Sequence, residues 1–399
     1  MQKKRILLIT FITILLLSIM PIGSNAEGAK LVSLHKEKET SITLLDIDQK
    51  IRRLTYNSGF HFDYPDAVRG IFVTSHSAGG SRFETLVDLV DNTDLNAMVI
   101  DVKDDYGNLT FKPEEGSSFE SIAKNHINDP KAMMKTLEEK EIYPIARIVV
   151  FKDTALAMER PDLSFTENGE VWLNNRKEAF VNPFLKEVWD HNIEIAKLAA
   201  EMGFKDIQFD YVRFPEGFEY RDEDLQYTLG DYANSDLGNI QRRIEAVTDF
   251  VAYAREELSY YDVDVSVDIF GYAATIPETP GIGQNFTKIS ENVDVISSMI
   301  YPSHWTSYFG IEFPDREPYR LVTEYAKVEN ELLGLLDNPP TSRPWIQDFE
   351  APWLYSGATM QYGKAEVEAQ IRALSENGIK EFLLWNAGNV YTQNVNYIQ

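Results

Sequence analysis

Two segments of this chain end in an aspartate that a strand would aim inward. In Ile207-Gln208-Phe209-Asp210, a period of two puts Gln208 and Asp210 on one face and Ile207 and Phe209 on the other. In Val263 through Asp268 the alternation is sharper: Val263, Val265 and Val267 share one face, and Asp264, Ser266 and Asp268 share the other. An inward carboxylate is costly unless it is paired or used. Two carboxylates side by side push their pKa values apart and yield one acid and one base. That pair is the equipment for hydrolysing a glycosidic bond. Asp210 and Asp268 are therefore the candidate catalytic residues. The competing reading is that they are ion-paired with Arg147 or Arg213 and only hold the fold.

Other segment ends add candidate substrate-binding groups: Asp101 and Lys103, Arg147, Arg213, and Asp348 after Gln347. Aromatic and polar groups join them: Tyr301, His304 and Trp305 in one cluster, and Trp385 with Asn386 in another. Sugar rings stack on aromatic faces, while amides and acids hold their hydroxyls. A tryptophan taken singly is more often core than platform; Trp305, in a loop between Pro302 and Gly310, is the best platform candidate.

The elements that must carry these residues alternate in type. Strand patterns occur at 70–75, 97–102, 143–150, 206–212, 263–270, 293–301, 345–349 and 381–386. Helical patterns lie between them at 83–90, 131–140, 184–202, 241–258 and 365–376. Asp129-Pro130 opens the second helix as N-cap and N1, and Gly203 closes the third. Eight alternating units predict an α/β fold of the (β/α)8 TIM-type barrel class, with function at the C-terminal ends of the strands. The turn after the first strand, Thr74 through Gly80, lacks the G-x-G-x-x-G of a dinucleotide-binding sheet.

Composition narrows the chemistry. The 399 residues carry a formal charge of −25, which argues against nucleic acid as a partner. There is no cysteine, so thiolate catalysis, disulfides and zinc-thiolate sites are excluded. No H-E-x-x-H or G-x-S-x-G occurs. The acidic run Asp101 to Gly107 lacks calcium-loop spacing and reads as a solvated turn. No cofactor or metal is expected.

At the N-terminus, Lys3, Lys4 and Arg5 precede an apolar run to Met20, then Pro21, Gly23 and small residues at 24–26. This predicts a secretory signal peptide over 1–26, too short to span a bilayer, and a secreted or envelope-associated protein without stable membrane insertion. Residues 27–64 read as a leader and 65–399 as the barrel.

Several stretches resemble the bacterial "putative glycosyl hydrolase" family. They are Arg69 to Thr74, Val99 to Asp104, Gln208-Phe209-Asp210-Tyr211-Val212-Arg213-Phe214-Pro215, Asp268 to Gly271, Met299 to His304 and Trp345 to Phe349. The D-Y-V-R-F-P stretch is the most specific. The resemblance spans about residues 65–390 and implies an exported TIM-type barrel related to carbohydrate-cleaving enzymes. Analogy with related barrels carries the nucleophile onto Asp210. Many such barrels place a Glu where this chain has Asp268, and a shorter acid must reach the glycosidic oxygen from closer in. Asp101 and Asp348 remain rivals for that role. The expected partner is a polysaccharide substrate. The alternatives are a non-catalytic glycan-binding or wall-associated barrel and, against the histidine spacing, a carbohydrate esterase.

Overall fold

Eight parallel strands close into a barrel with helices outside. The computed structural model describes residues 55–354 and 357–399. The expected signal peptide, and the expected leader up to residue 54, lie outside the described residues. The compact unit runs from Asn57 to Gln399. Within it, residues 57–64, read from sequence as leader, pack on the barrel: the His61 backbone N–H donates to Glu138 at 2.7 Å, and Phe62 is buried.

The strands are β1 Arg69–Val73, β2 Ala97–Lys103, β3 Tyr143–Val149, β4 Asp206–Asp210, β5 Asp264–Phe270, β6 Val295–Met299, β7 Trp345–Gln347 and β8 Phe382–Trp385. Each pairs with the next, and β8 returns to β1 through Arg69↔Phe382 and Gly70↔Leu383. The β6–β7 seam is the thinnest: Trp345 pairs with Met299, and the short strand Thr341–Ser342 pairs with Val295 and Ile296 below it. The run 206–212 ends as a strand at Asp210 because Tyr211 turns into the left-handed region, φ 52°. A non-glycine residue held there is uncommon and clusters at functional sites.

The outer helices are α1 Arg82–Asp91, α2 Pro130–Glu139, α3 Lys186–Met202, α4 Asn239–Leu258, α5 Phe286–Ser290, α6 Pro318–Leu333 and α7 Lys364–Glu376. Asp129 accepts from the Ala132 N–H, and Gly203 caps α3 at φ 111°, as the sequence predicts. Helices α5 and α6 were not among the helical patterns read from sequence. The apolar stripe of α6, Leu321, Val322, Tyr325 and Leu333, is interrupted by a buried Glu329. Among the described residues no helix follows β8. An irregular tail takes that place, with Asn389 Nδ2 donating to the Phe72 carbonyl at 2.9 Å and its Oδ1 accepting from the Thr74 N–H at 2.9 Å.

The barrel interior is polar at both ends. At the N-terminal end Arg343 is fully buried and pairs with Asp206 at 2.6 Å and Glu381 at 2.8 Å. Such a buried network serves the scaffold, since removing one partner would strand an uncompensated charge. The C-terminal end carries the site.

Candidate active site

Register alone makes Asp210 and Asp268 neighbours. Phe209 of β4 pairs with Val267 of β5, so the next residue on each strand is an aspartate, and both face inward at the top of the barrel. Both are buried, 5% and 1% exposed, yet both line a cavity of about 590 Å³ at the strand ends.

Arg147 of β3 organises the floor. Its Nε and Nη2 donate to Asp210 Oδ2 at 2.9 and 2.6 Å. Its Nη1 donates to Asp101 Oδ1 at 2.7 Å and to Asp105 Oδ2 at 3.2 Å. The guanidinium carbon lies 5.4 Å from the ring centroids of both Phe72 and Trp385. The other Asp210 oxygen accepts from the Tyr211 N–H at 2.6 Å, a bond that the left-handed turn at Tyr211 makes available. Asp210 is thus ion-paired with Arg147, as the competing reading expected, but it is also presented to the cavity.

Asp268 makes no ion pair among the described residues. Oδ1 accepts from the Trp345 indole at 2.8 Å, and Oδ2 has no protein hydrogen bond among the described residues. Burial and then the negative charge of Asp210 hold its pKa well above the carboxylate range; Trp345 and Arg147 only partly offset this. The two neighbours therefore differ: an ion-paired carboxylate on β4 and, on β5, an acid whose pKa burial and the Asp210 charge raise. Tyr301 lines the same cavity, and burial with the Asp268 and Asp210 charges holds its phenol far above its ordinary range, leaving it a donor.

The walls carry aromatic surface. Trp385 stacks on Phe72 at 4.1 Å, and Trp305 faces Gly271. A Cβ at Gly271 would stand 3.0 Å from the Trp305 ring and 2.8 Å from the Met299 carbonyl oxygen, so only glycine lets the β5 turn lie against that wall. Phe270, Tyr272 and Tyr308 complete it, with His304 exposed at the rim.

Of the residues picked out from sequence, Asp210, Asp268, Arg147, Arg213, Tyr301, His304, Trp305 and Trp385 line the cavity together. Asp101 sits one layer behind, on Arg147; burial raises its pKa to about 7. Three others are elsewhere. Lys103 points outward, because the β2–β3 register shifts between Asp101 and Lys103 and aligns Lys103 with the outward Ile148. Its ammonium is buried under α3 on Asp153 at 2.5 Å and Asn192 at 2.9 Å. Asp348 accepts from the Thr392 N–H at 2.9 Å and hydroxyl at 2.6 Å, so it ties down the tail. Asn386 spends its amide N–H groups on the Asp348 and Val390 carbonyls at 2.5 and 2.7 Å, which leaves nothing for a ligand.

Sequence reasoning passed over Asp105, Arg176, Tyr211, Glu216, Phe270 and Tyr272, all of which line the cavity. Tyr211 directly follows β4, Phe270 ends β5 and Tyr272 lies two residues beyond it, and these positions at strand ends were a usable signal. Asp105, read as part of a solvated turn, is held by Arg147 and by Lys152 at 2.5 Å. Arg176 lies in the long β3–α3 connection, where no periodicity marks it. Trp345 is core, and Trp353 is 60% exposed and outside the cavity lining.

Comparison with known proteins gives the following. The family described as "Putative glycosyl hydrolase domain" matches residues 70–391. No curated protein matches. A hypothetical protein from Ruminiclostridium thermocellum ATCC 27405 is 32% identical over 50% of this chain and 96% of that one, with a TM-score of 0.43. The glycoside hydrolase domain of PgaB (BpsB) from Bordetella bronchiseptica is 16% identical over 80% of this chain and 94% of that one, with a TM-score of 0.55. A beta-galactosidase from the psychrophilic Marinomonas ef1 is 13% identical over 80% of this chain and 54% of that one, with a TM-score of 0.52. The last two share the barrel fold with this chain.

Proposed function

The chain belongs to the family described as "Putative glycosyl hydrolase domain", and from that premise we propose that it is an exported glycosidase that cleaves an envelope or extracellular polysaccharide with two carboxylates. One observation carries the reading: Asp268, a buried acid whose pKa is raised, stands beside the Arg147-paired Asp210 in one aromatic-walled cavity.

In this reading the Asp268 proton passes to the glycosidic oxygen as the bond to the anomeric carbon breaks, leaving Asp268 as a carboxylate. Asp210 attacks that carbon from the opposite face and forms a glycosyl ester. Water then adds to the anomeric carbon, gives its proton to Asp268, and releases Asp210. Neighbouring strands run about 4.8 Å apart, which favours the 5–5.5 Å carboxyl separation of retaining enzymes over the wider inverting arrangement. Arg147 holds the Asp210 carboxylate in place through two hydrogen bonds. Trp305, Trp385 and Tyr272 offer stacking surfaces for sugar rings, and the Tyr301 hydroxyl offers a donor. The export segment at 1–26 supports an extracellular or envelope substrate.

The test is release of new reducing ends from a polysaccharide panel by the purified protein and by Asp210→Asn and Asp268→Asn variants. Loss of product in both variants is the expected result. Equal activity in the variants would sink the assignment, and binding without product from the parent would favour a non-catalytic glycan-binding barrel.

A further inference from the structure

The proposed reaction leaves one side of the cavity without a task. There the wall opens into a lobe of about 200 Å³ whose polar lining is Asn174, Asn175, Arg176, Glu178, Arg213 and Glu216. Arg176, Tyr211, Arg213 and Glu216 line both spaces, so the lobe is a continuation of the cleft.

Two arginines face it. The Arg213 side chain is only 5% exposed and lies over the Tyr211 and Phe270 rings, 4.7 and 4.6 Å from their centroids. It donates to the Phe214 carbonyl and to Glu216 Oε1, each at 3.1 Å, two bonds for a group with five N–H donors. Arg176 is exposed, and its guanidinium has no hydrogen bond or ion pair among the described residues. It nonetheless lines the cleft, together with Arg213, Glu216 and His304.

Apart from Asp268, the carboxylates that line the cleft and its lobe are already matched, Glu178 by Lys152 at 3.5 Å and by the Asn174 amide at 2.8 Å. Asp210 and Asp105 sit on Arg147, Asp105 also on Lys152, and Glu216 on Arg213. A chain with 63 acidic and 38 basic residues has surplus carboxylate everywhere, yet keeps one arginine unpaired at the mouth of its cleft. A planar guanidinium with open donors is suited to bidentate recognition of a carboxylate.

We propose that the cleft takes an acidic polysaccharide and seats one carboxylate-bearing sugar residue in the side lobe, between Arg176 and Arg213. This rests on the glycosidase reading for the identity of the ligand as a glycan. The lobe provides the Asn175 amide for hydroxyls, while Asn174 is held by Glu178 and by the Arg176 and Glu178 backbone, and the Phe180 and Tyr211 rings bound it.

The experiment is calorimetric titration of the protein with oligomers of galacturonate, of mannuronate and of hyaluronan, each beside its carboxyl-reduced neutral counterpart, with products followed separately by chromatography. At least one acidic oligomer should bind about tenfold or more tightly than its neutral counterpart, as a charge-assisted pair implies. Arg176→Gln, at an exposed position that leaves folding alone, should erase most of that difference. Arg213→Lys, which keeps charge but not the fork, should reduce it. Equal binding of every acidic oligomer and its counterpart, or a preference that survives Arg176→Gln, overturns the proposal. Acid-selective binding with no product would instead overturn the glycosidase reading and leave the acid seat standing. Cleavage of neutral polymers only would do the reverse.

Discussion

The indole Nε1 of Trp345 on β7 donates a 2.8 Å hydrogen bond to Oδ1 of Asp268 on β5, across the barrel interior. Because that bond stabilises the charged carboxylate, it works against burial and against Asp210 in setting the acid strength of Asp268. Trp345→Phe should therefore raise the Asp268 pKa further and move the alkaline limb of the kcat/KM profile upward. It should also cost about 1–3 kcal/mol of stability for the lost bond and volume. A tryptophan serving only as core would lower stability and leave the limb where it was.

Asp268→Asn should reduce turnover of a polysaccharide by about 10²–10⁴, the worth of a positioned general acid. A nitrophenyl glycoside, whose leaving group needs no proton, should lose far less. Asp210→Asn should be equally poor on both. The split is read from initial rates, and a variant at Asp268 that is as poor on the activated glycoside would remove it from the acid role.

Neighbouring strand positions for the two carboxylates predict net retention at the anomeric carbon. Proton NMR of the first-formed product, recorded before mutarotation, checks it. First appearance of the inverted anomer would require a water between the groups and make Asp210 a general base.

Arg147 carries three carboxylates at 1% side-chain exposure. Arg147→Met should destabilise the fold by about 3–5 kcal/mol, the cost of stranding buried charge. Denaturant unfolding measures it, and a loss below about 1 kcal/mol would mean that the aspartates re-solvate or protonate freely.

Asp101 has an ordinary pKa of 3.8 and a folded value of about 7. The folded protein thus binds this proton more tightly than the unfolded chain. Its contribution to stability is complete below about pH 4 and is lost as pH rises through 7. Asp105, held low by Arg147 and Lys152 despite its burial, acts in the opposite sense and loses its contribution only in strong acid. Asp101→Asn should flatten the fall in unfolding free energy between pH 5 and 8 relative to the parent. An unchanged slope would place the effect on other groups, such as Asp264.

Much of the fold was legible because local rules suffice for it. Strand alternation, the Asp129-Pro130 start and the Gly203 stop are properties of a few consecutive residues, and they hold in the structure. Alternation also placed Asp210 and Asp268 inside. It failed at Lys103, where a bulge reversed the facing of a single residue. Asp348 and Asn386 look from sequence like strand-end ligands. Their hydrogen bonds are taken by a tail that stands in for an eighth helix, a long-range contact with no local signature.

The sequence by itself determined the class of fold, the faces that β4 and β5 turn inward, and that two aspartates would meet at one end of the barrel, since period and strand order are written along the chain. Only the tertiary structure decided what each aspartate is. Arg147 comes from β3 and Trp345 from β7, and their arrival makes Asp210 a paired carboxylate and Asp268 a buried acid. A pKa depends on desolvation and on the charges within a few ångströms, and those neighbours are far apart in sequence.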